Sequence, residues 1–252
     1  MKQYGLIGNP LKHSFSKKYF NDKFASEGIN AEYINFEIPA VDDILSVIRS
    51  HPNLEGLNVT IPYKEKVIPF MDQLSEDALI VGAVNVIKIT RNKGKIHLAG
   101  FNSDIKGFKQ AIEPYLKTHH TRALVLGAGG AAKAVFQGLK QLNIIPVYVS
   151  REKTDPAMLT YQDLDAAIIE AHTVIVNCTP VGMYPNVDEC PDIPYHYLYH
   201  EHLLYDLLYN PDETLFMKRG KEHGATVVNG LEMLLLQAFE GWNLWNVNTS
   251  IH

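Results

Sequence analysis

The sequence predicts an α/β protein of two domains, an N-terminal domain on a mixed sheet and a doubly wound domain on a mostly parallel sheet. Strand-like and helix-like segments alternate up to about residue 102, and a second alternating series begins near Thr121. A glycine-rich stretch, residues 127–130, directly follows the first strand of that second series. The 252 residues suit one large domain or two modest ones, and a hydrophobic content of 46% is enough for a core.

The first half contains short apolar runs that end at turn residues, which is typical of strands. The predicted strands cover residues 4–7, 31–38 and 57–61, and a hairpin joins residues 84–90 to 95–98 through Asn92-Lys93-Gly94. A helix is predicted over residues 16–27, because Phe20 and Phe24 lie four positions apart. A further helix begins at Asp42 or Asp43. The alternation indicates a mixed or parallel sheet.

The second half repeats this alternation with more continuous apolar runs, which indicate strands buried on both faces. Strands are predicted at residues 123–126, 145–149, 174–176, 203–207 and 225–228. The last predicted helix, residues 230–242, is expected to pack back on the first half. We therefore place one domain at 1–103, completed by a C-terminal helix of about 231–252, and the other at 104–230.

Composition and the start of the chain exclude several classes of protein. A net charge of −5 and a pI of about 6.1 provide no basic field for nucleic acid. The N-terminal apolar run is interrupted at Gly8 and Pro10, so it is too short for a signal sequence or a membrane span. Two cysteines, Cys178 and Cys190, form no disulfide or zinc pattern, which favours a reducing cytoplasm.

Three histidines lie close together in the sequence, His196, His200 and His202. Their spacing lacks the acidic and helical context of a metal motif, so a solvated loop and no metal are expected.

The glycine-rich stretch has the spacing of a dinucleotide-binding loop. Residues 127–132 fit G-x-G-x-x-A between a strand and a helix, which is the context that this motif requires. Gly127 permits a tight turn, and Gly129 lets backbone N–H groups approach a pyrophosphate at the helix N-terminus. The second domain is therefore predicted to be of the Rossmann type. Its cofactor-binding residues are Gly127, Ala128, Gly129, Gly130 and Ala131.

The end of the next strand favours NADP over NAD. An NAD-binding domain usually has an acid there for the ribose 2′-hydroxyl. This chain has Ser150 and Arg151 instead, and an arginine suits a 2′-phosphate. Glu152 places an acid beside that arginine, which leaves the preference open.

Polar residues in the first half cluster where strands end. Ser14 and Ser16 precede a helix and together suit a carboxylate. A period-two segment contains Asn58 and Thr60 and ends in Lys64. After two further turns, near residues 82 and 100, the chain has one amide side chain and one acidic side chain. These are Asn85 and Asp104.

These segments resemble, in order and spacing, the motifs of the shikimate dehydrogenase family, and the resemblance runs from Gly8 to Gln237. The matching segments are Gly8-Asn9-Pro10 with His13-Ser14-Phe15-Ser16, residues 58–64, 82–85, 100–107, 177–183, 206–211 and 230–237. Departures are Lys17 where the family has proline, Ser103 in place of threonine, and Ser150-Arg151-Glu152 in place of N-R-T.

The resemblance implies a cytoplasmic oxidoreductase that reversibly reduces 3-dehydroshikimate to shikimate with NADP, in the biosynthesis of chorismate and the aromatic amino acids. It implies that Lys64 and Asp104 are catalytic and come together beside the nicotinamide. The implied substrate-binding residues are Ser14, Ser16, Asn58, Thr60, Asn85, Tyr209 and Gln237. Besides the glycine loop, the implied cofactor-binding residues are Ser150, Arg151, Thr179, Gly182, Met183 and Gly230.

Two alternatives stay open at this point. One is a quinate or broad quinate/shikimate dehydrogenase that uses NAD. The other is a non-catalytic NADP-binding regulator, which would have no need for the pair Lys64 and Asp104. Either dehydrogenase is expected to act on a small-molecule substrate. Neither a nucleic acid nor a membrane is expected as a partner. The expected assembly is a monomer or a homodimer.

Overall fold

The computed structural model describes residues 1–11 and 15–246, and the chain divides into two compact units. The first unit is Met1–Ser103 together with the segment that begins at Ala238, and the second unit is Asp104–Gln237. One unit contains a mixed sheet and the other a fully parallel one, each of six strands. The predicted α/β fold with a mixed sheet and a Rossmann-type sheet is therefore confirmed.

The first unit is built on strands in the order β2-β1-β3-β5-β6-β4. The strands are β1 Lys2–Gly8, β2 Ala31–Glu37, β3 Leu54–Val59, β4 Gln73–Leu74, β5 Val86–Asn92 and β6 Lys95–Phe101. Its helices are α1 Phe15–Ser26, α2 Ile44–Ser50 and α3 Glu76–Val81. Strands β1, β2 and β3 run parallel, whereas β5 is antiparallel to β3 and β6.

The predicted hairpin between β5 and β6 is present, and its turn consists of two residues. Lys93 has φ of 48° and Gly94 has φ of 81°, while Asn92 pairs with Lys95. Two positive φ values in a two-residue loop match the right-handed twist of the flanking strands. Short elements were not predicted. Strand β4 has only two residues, and α3 is a single short helix capped by Ser75.

Both faces of the first sheet are covered, because its side chains alternate between two apolar clusters. Leu57 and Ile87, which are cross-strand partners, belong to one cluster, whereas Leu6 and Val86 belong to the other. The second cluster includes Trp245, whose Nε1 lies only 2.4 Å from where a Cβ on residue 56 would be. Gly56 therefore allows the indole to lie directly against the strand.

The second unit is a six-stranded parallel sheet in the order β12-β11-β10-β7-β8-β9. Its strands are β7 Arg122–Leu126, β8 Ile145–Ser150, β9 Leu159–Thr160, β10 Val174–Asn177, β11 Leu203–Asp206 and β12 Thr226–Val228. Helices α4 Asp104–Ile112, α5 Gly130–Gln141, α6 Ala166–Ala171 and α7 Leu215–Glu222 accompany them. The last helix, α8 Leu231–Asn246, crosses the boundary at Gln237.

The strand order reverses between β7 and β10, which are neighbours in the sheet but not in the sequence. A reversal of this kind opens a crevice at the carboxyl ends of the two strands, and ligands of doubly wound sheets bind there. The topology therefore directs attention to the loops that follow Leu126 and Asn177. Among the described residues, no helix is long and apolar enough to cross a membrane.

Three histidines of the second unit are buried, which corrects the expectation that His202 lies in a solvated loop. Its Nδ1 accepts a hydrogen bond from the backbone N–H of Tyr199, and its Nε2 lies 3.0 Å from the carbonyl oxygen of Ile169. Burial lowers the pKa values of His120, His172 and His202. Each ring therefore stays neutral, and each hydrogen-bonds to a backbone carbonyl oxygen.

These buried histidines predict that the protein loses thermal stability in mild acid. A histidine with a lowered folded-state pKa stabilises the fold above its ordinary pKa of about 6.5 and loses this contribution as the pH falls. Asp206 opposes the effect, because burial raises its pKa to about 6 and it stabilises the fold when protonated. Three groups outweigh one, so the melting temperature falls from about pH 7.5 to about pH 5.5.

Scanning calorimetry across that range tests this prediction. His202→Gln should make the melting temperature less dependent on pH. The matched control is His97→Gln, at an exposed position of β6, which should leave this dependence unchanged. A melting temperature that stays constant down to the acid end would contradict the prediction.

Candidate active site

The glycine-rich loop lies between β7 and α5, and its backbone is open on the side that a ligand would approach. Gly127 has φ of +100°, a conformation that favours glycine. A Cβ placed on Gly129 would meet no atom within 4 Å. Gly129 also precedes α5 without a side-chain cap, so the first N–H groups of this 12-residue helix are presented by the backbone alone. This cradle fits the pyrophosphate of a dinucleotide.

The loop after β10 reaches the glycine loop at the reversal of strand order. The backbone N–H of Cys178 donates to the carbonyl oxygen of Leu126 at 3.0 Å. A Cβ on Gly127 would lie 3.2 Å from the Cγ2 of Thr179. The two loops therefore meet where a doubly wound sheet binds its ligand. Burial raises the pKa of the Cys178 thiol well above its usual range, so this group is no activated nucleophile.

A buried carboxylate organises the loop after β10. Asp206 accepts hydrogen bonds from Asn177 Nδ2 at 3.0 Å, from Thr214 Oγ1 at 2.6 Å and from the backbone N–H of Leu208 at 3.0 Å. Asn177 Oδ1 in turn accepts from the hydroxyl and the backbone N–H of Thr179. One carboxylate is thus connected, through one amide, to the predicted cofactor loop.

Other predicted cofactor residues lie at the ends of β8, β10 and β12. Arg151 is exposed after β8 and close to Tyr161, whose pKa is raised by burial and lowered in part by the guanidinium. Met183 is 47% exposed, while Gly182 has φ of +94°. Gly230 is buried, and a Cβ there would lie 2.1 Å from the Leu207 carbonyl oxygen. Gly230 therefore permits a close backbone contact within the second unit.

In the first unit, the loops after β1 and β3 are pressed together. A Cβ on Gly8 would lie 2.4 Å from the Cγ2 of Thr60. The backbone N–H of Thr60 donates to the Ile7 carbonyl oxygen at 2.9 Å. Lys64 is half-buried, and its carbonyl oxygen accepts from the backbone N–H of Val84 at 2.7 Å. Thr60 and Lys64 are therefore held at the carboxyl edge of the sheet.

Hydrogen bonds join several predicted substrate residues into one chain. Tyr33 Oη donates to Asn58 Oδ1 at 2.7 Å and also hydrogen-bonds the side chain of Ser16. Asn58 Nδ2 donates to the carbonyl oxygen of Asn85 at 3.4 Å. Asn85 Nδ2 donates to Ser103 Oγ at 3.0 Å, and its Oδ1 accepts from the Ser103 backbone N–H at 2.8 Å. Elements distant in sequence therefore converge on one polar cluster.

Of the remaining predicted site residues, Ser14 lies outside the described residues, and the others are placed as follows. Asp104 is buried at the start of α4, directly after Ser103 in the sequence. Gln237 packs against Gly107 of α4, since a Cβ on that glycine would lie 2.9 Å from Gln237 Cβ. Tyr209 is 39% exposed. Among residues 1–11 and 15–246, no group of three or more metal-binding side chains occurs.

Sequence reasoning did not identify Tyr33 and Asp206 as parts of these networks, although Asp206 begins one of the recognised motifs. Tyr33 resembles any apolar strand residue in sequence, and only the pairing of β1 with both β2 and β3 brings its phenol within 2.7 Å of Asn58. Asp206 follows an apolar strand, as many helix-capping and surface acids do. Its complete burial could not be read from the chain.

Comparisons with known proteins show strong similarity along the chain. Residues 6–87 match the model of the shikimate dehydrogenase substrate binding domain. A shikimate dehydrogenase (NADP(+)) from Desulforamulus reducens is 36% identical, over 96% of this chain and 88% of the relative. The crystal structure of shikimate 5-dehydrogenase from Thermus thermophilus with NADP(H) and shikimate has a TM-score of 0.84 at 27% identity, covering 98% and 94%. The chain belongs to the shikimate dehydrogenase family.

A quinate dehydrogenase from Corynebacterium glutamicum, solved with NAD, is also similar. It has a TM-score of 0.83 at 26% sequence identity, covering 97% of this chain and 93% of that one. The fold is therefore shared by a protein that is named for another substrate, so fold alone does not determine the substrate, and individual side chains must.

The Asp206 network predicts that Asn177→Ala weakens dinucleotide binding. The substitution removes the amide that connects the carboxylate to Thr179, so the loop loses its anchor. We expect the Kd for NADPH to rise about tenfold, the equivalent of one hydrogen bond. Fluorescence titration measures this Kd.

Thr214→Val is the matched control, because it removes a donor to the same carboxylate and keeps the hydrogen bonds between Asn177 and Thr179. It should lower the melting temperature yet leave the Kd close to that of the wild type. Equal values of Kd for both variants would refute the role assigned to Asn177.

Proposed function

We propose that this chain is an NADP-dependent shikimate dehydrogenase, which reversibly reduces 3-dehydroshikimate to shikimate. The observation that carries the proposal is similarity to a shikimate dehydrogenase (NADP(+)) at 36% identity over 96% of the chain. The geometry of each unit agrees with it. The second unit presents a dinucleotide cradle, and the first presents a cluster of neutral polar side chains suited to a hydroxyl-rich ligand.

The bound dinucleotide supplies the hydride, and the protein must bind the acid, orient its carbonyl and provide a proton. Lys64 provides that proton from Nζ to the carbonyl oxygen, and its charge polarises the carbonyl. Asp104 accepts a hydrogen bond from an adjacent ring hydroxyl of the substrate. These two roles follow the family motifs that contain both residues.

The substrate is a ring acid with several hydroxyls, and each buried hydroxyl left without a partner costs about 1–3 kcal/mol. Ser14 and Ser16 bind its carboxylate. Asn58, Thr60 and Asn85 bind its ring hydroxyls, with Tyr209 and Gln237 completing the set. The connected chain from Ser16 to Ser103 supports this assignment, because it holds these side chains in a definite arrangement.

The cofactor is NADP, with Ser150 and Arg151 at its 2′-phosphate and Thr179, Gly182 and Met183 bordering the nicotinamide. Arg151 is exposed at the end of β8, as a phosphate-binding arginine must be. A dehydrogenase acting on quinate with NAD is the second candidate, favoured by Glu152 beside Arg151 and by the similarity to a quinate dehydrogenase solved with NAD. A cytoplasmic location and a monomeric or homodimeric state stay predictions.

An assay of NADP reduction with shikimate at mildly alkaline pH tests the function. We expect turnover with shikimate and NADP, and much slower turnover with quinate or with NAD. Arg151→Ala should raise the KM for NADPH more than the KM for NADH, because only NADPH carries the 2′-phosphate. Faster turnover with quinate and NAD would favour the second candidate, and NADP binding without turnover would favour a regulator.

Lys64→Ala should lower kcat by about 10²–10⁴-fold, the usual contribution of a positioned proton donor, and leave the fold intact. Lys66→Ala is the matched control, since Lys66 is an exposed lysine two residues further along the chain. Steady-state kinetics and the melting temperature of both variants decide the outcome. A folded Lys64→Ala variant with nearly normal kcat would exclude Lys64 from proton transfer.

A further inference from the structure

The phenol of Tyr33 joins two groups that the proposed function assigns to different parts of the substrate. Tyr33 is only 1% exposed and lies on β2, two strands away from Asn58 on β3. Its Oη donates to Asn58 Oδ1 at 2.7 Å and also hydrogen-bonds the side chain of Ser16. One phenol therefore connects a carboxylate-binding serine to a hydroxyl-binding amide.

The direction of these hydrogen bonds follows from the number of available protons. A phenol has one proton, and Tyr33 uses it on the carbonyl oxygen of the Asn58 amide. Ser16 must then be the donor to the phenol oxygen. Asn58 Nδ2 is left facing the carbonyl oxygen of Asn85, which can only accept. The Asn85 carbonyl oxygen thus requires Nδ2 on its side, and Tyr33 secures this orientation of the Asn58 carboxamide by donating to Oδ1 on the other side.

Packing holds the Tyr33 ring in position. It stacks on Phe20 with ring centroids 4.8 Å apart and an interplanar angle of 11°. Asn21 of α1 accepts from the Tyr33 backbone N–H at 2.9 Å and donates to the Tyr33 carbonyl oxygen at 3.1 Å. These contacts tie helix α1, which contains Ser16, to the strand that carries Tyr33. The phenol oxygen therefore has little freedom to move.

We propose that Tyr33 is a positioning residue for the substrate, which orients the Asn58 carboxamide and holds the Ser16 hydroxyl, and so determines how the ring hydroxyls and the carboxylate are bound. The inference rests on the proposed function. Rotation of the Asn58 carboxamide by about 180° would exchange its donor for its acceptor. A site in which this group can rotate would therefore bind a hydroxyl-rich ring acid less tightly.

Tyr33→Phe tests the proposal, because it removes the hydroxyl and keeps the stacked ring. We expect the KM for shikimate to rise about tenfold, as for the loss of one hydrogen bond's contribution to binding. The value of kcat and the KM for NADP should stay within about twofold, since uniform binding is lost and no transition-state contact is removed. A merely structural role would lower the melting temperature without this separation of KM and kcat.

Tyr4→Phe is the matched control. Tyr4 is a buried tyrosine of the same aromatic cluster and is the direct partner of Tyr33 in the pairing of β1 with β2. Its phenol donates to Glu55, away from the Ser16–Asn58 connection. Tyr4→Phe should cost stability but leave the KM for shikimate unchanged. Equal increases of KM in both variants would overturn the proposal.

A double-mutant cycle separates an action through Asn58 from a direct effect. When Tyr33→Phe is combined with Asn58→Ala, the rise in KM should be smaller than the product of the two single effects. Ser16→Ala takes the place of Asn58→Ala if that variant does not fold, because Ser16 is only half-buried. Fully multiplicative effects would show that Tyr33 does not act through these groups.

The outcomes distinguish this inference from the proposed function. A wild-type protein without shikimate turnover would remove the proposed function and this inference with it. An active wild type and a folded Tyr33→Phe variant with unchanged KM for shikimate would remove the inference alone.

Discussion

Both units depend on the close approach of two backbone segments that follow neighbouring parallel strands. Gly8 allows the segment after β1 to reach Thr60 after β3, and Gly127 allows the loop after β7 to reach Thr179 after β10. A side chain at either glycine would occupy space within 2.4 Å or 3.2 Å of the facing methyl group. Because parallel strands end at one edge, these two contacts bring residues far apart in sequence to one place in each unit. The polar side chains that follow the strands then lie within hydrogen-bonding distance.

Such an edge buries polar groups, and carboxamides satisfy most of them. Asn58 and Asn85 in the first unit and Asn177 in the second each use the amide oxygen as an acceptor and the amide nitrogen as a donor. A carboxamide carries a donor and an acceptor on one rigid plane, so it can join two segments that approach from different directions. A network whose members are all paired specifies a single arrangement, which is what the recognition of a ring with several hydroxyls requires.

The sequence was sufficient for the order of long elements and for the glycine loop, since apolar periodicity and Gly127 act locally. The sequence was insufficient where tertiary contacts decide whether a short strand forms or a polar side chain is buried. The two-residue strand β4 exists only because Gln73 pairs with Ala99 of β6, and no local pattern encodes a pairing that short. His202 has the flanking residues of a surface loop, yet its ring is buried between the backbone of Tyr199 and that of Ile169 in the distant helix α6. Tyr33 became part of the candidate site only through strand register, because its apolar neighbours predict a core residue and nothing more.

The two networks differ in charge. The links from Ser16 to Ser103 are neutral hydroxyls and amides, so they add no charge that would repel the carboxylate of an acidic substrate. The second unit instead buries the carboxylate of Asp206 one amide away from Thr179 of the predicted cofactor loop. Burial raises the pKa of Asp206 to about 6, which shows that the charged form is disfavoured there. Its three donors offset that penalty, and Asn177 stands between the charge and the loop. The carboxylate can therefore anchor the loop while an amide, rather than the charge itself, contacts Thr179.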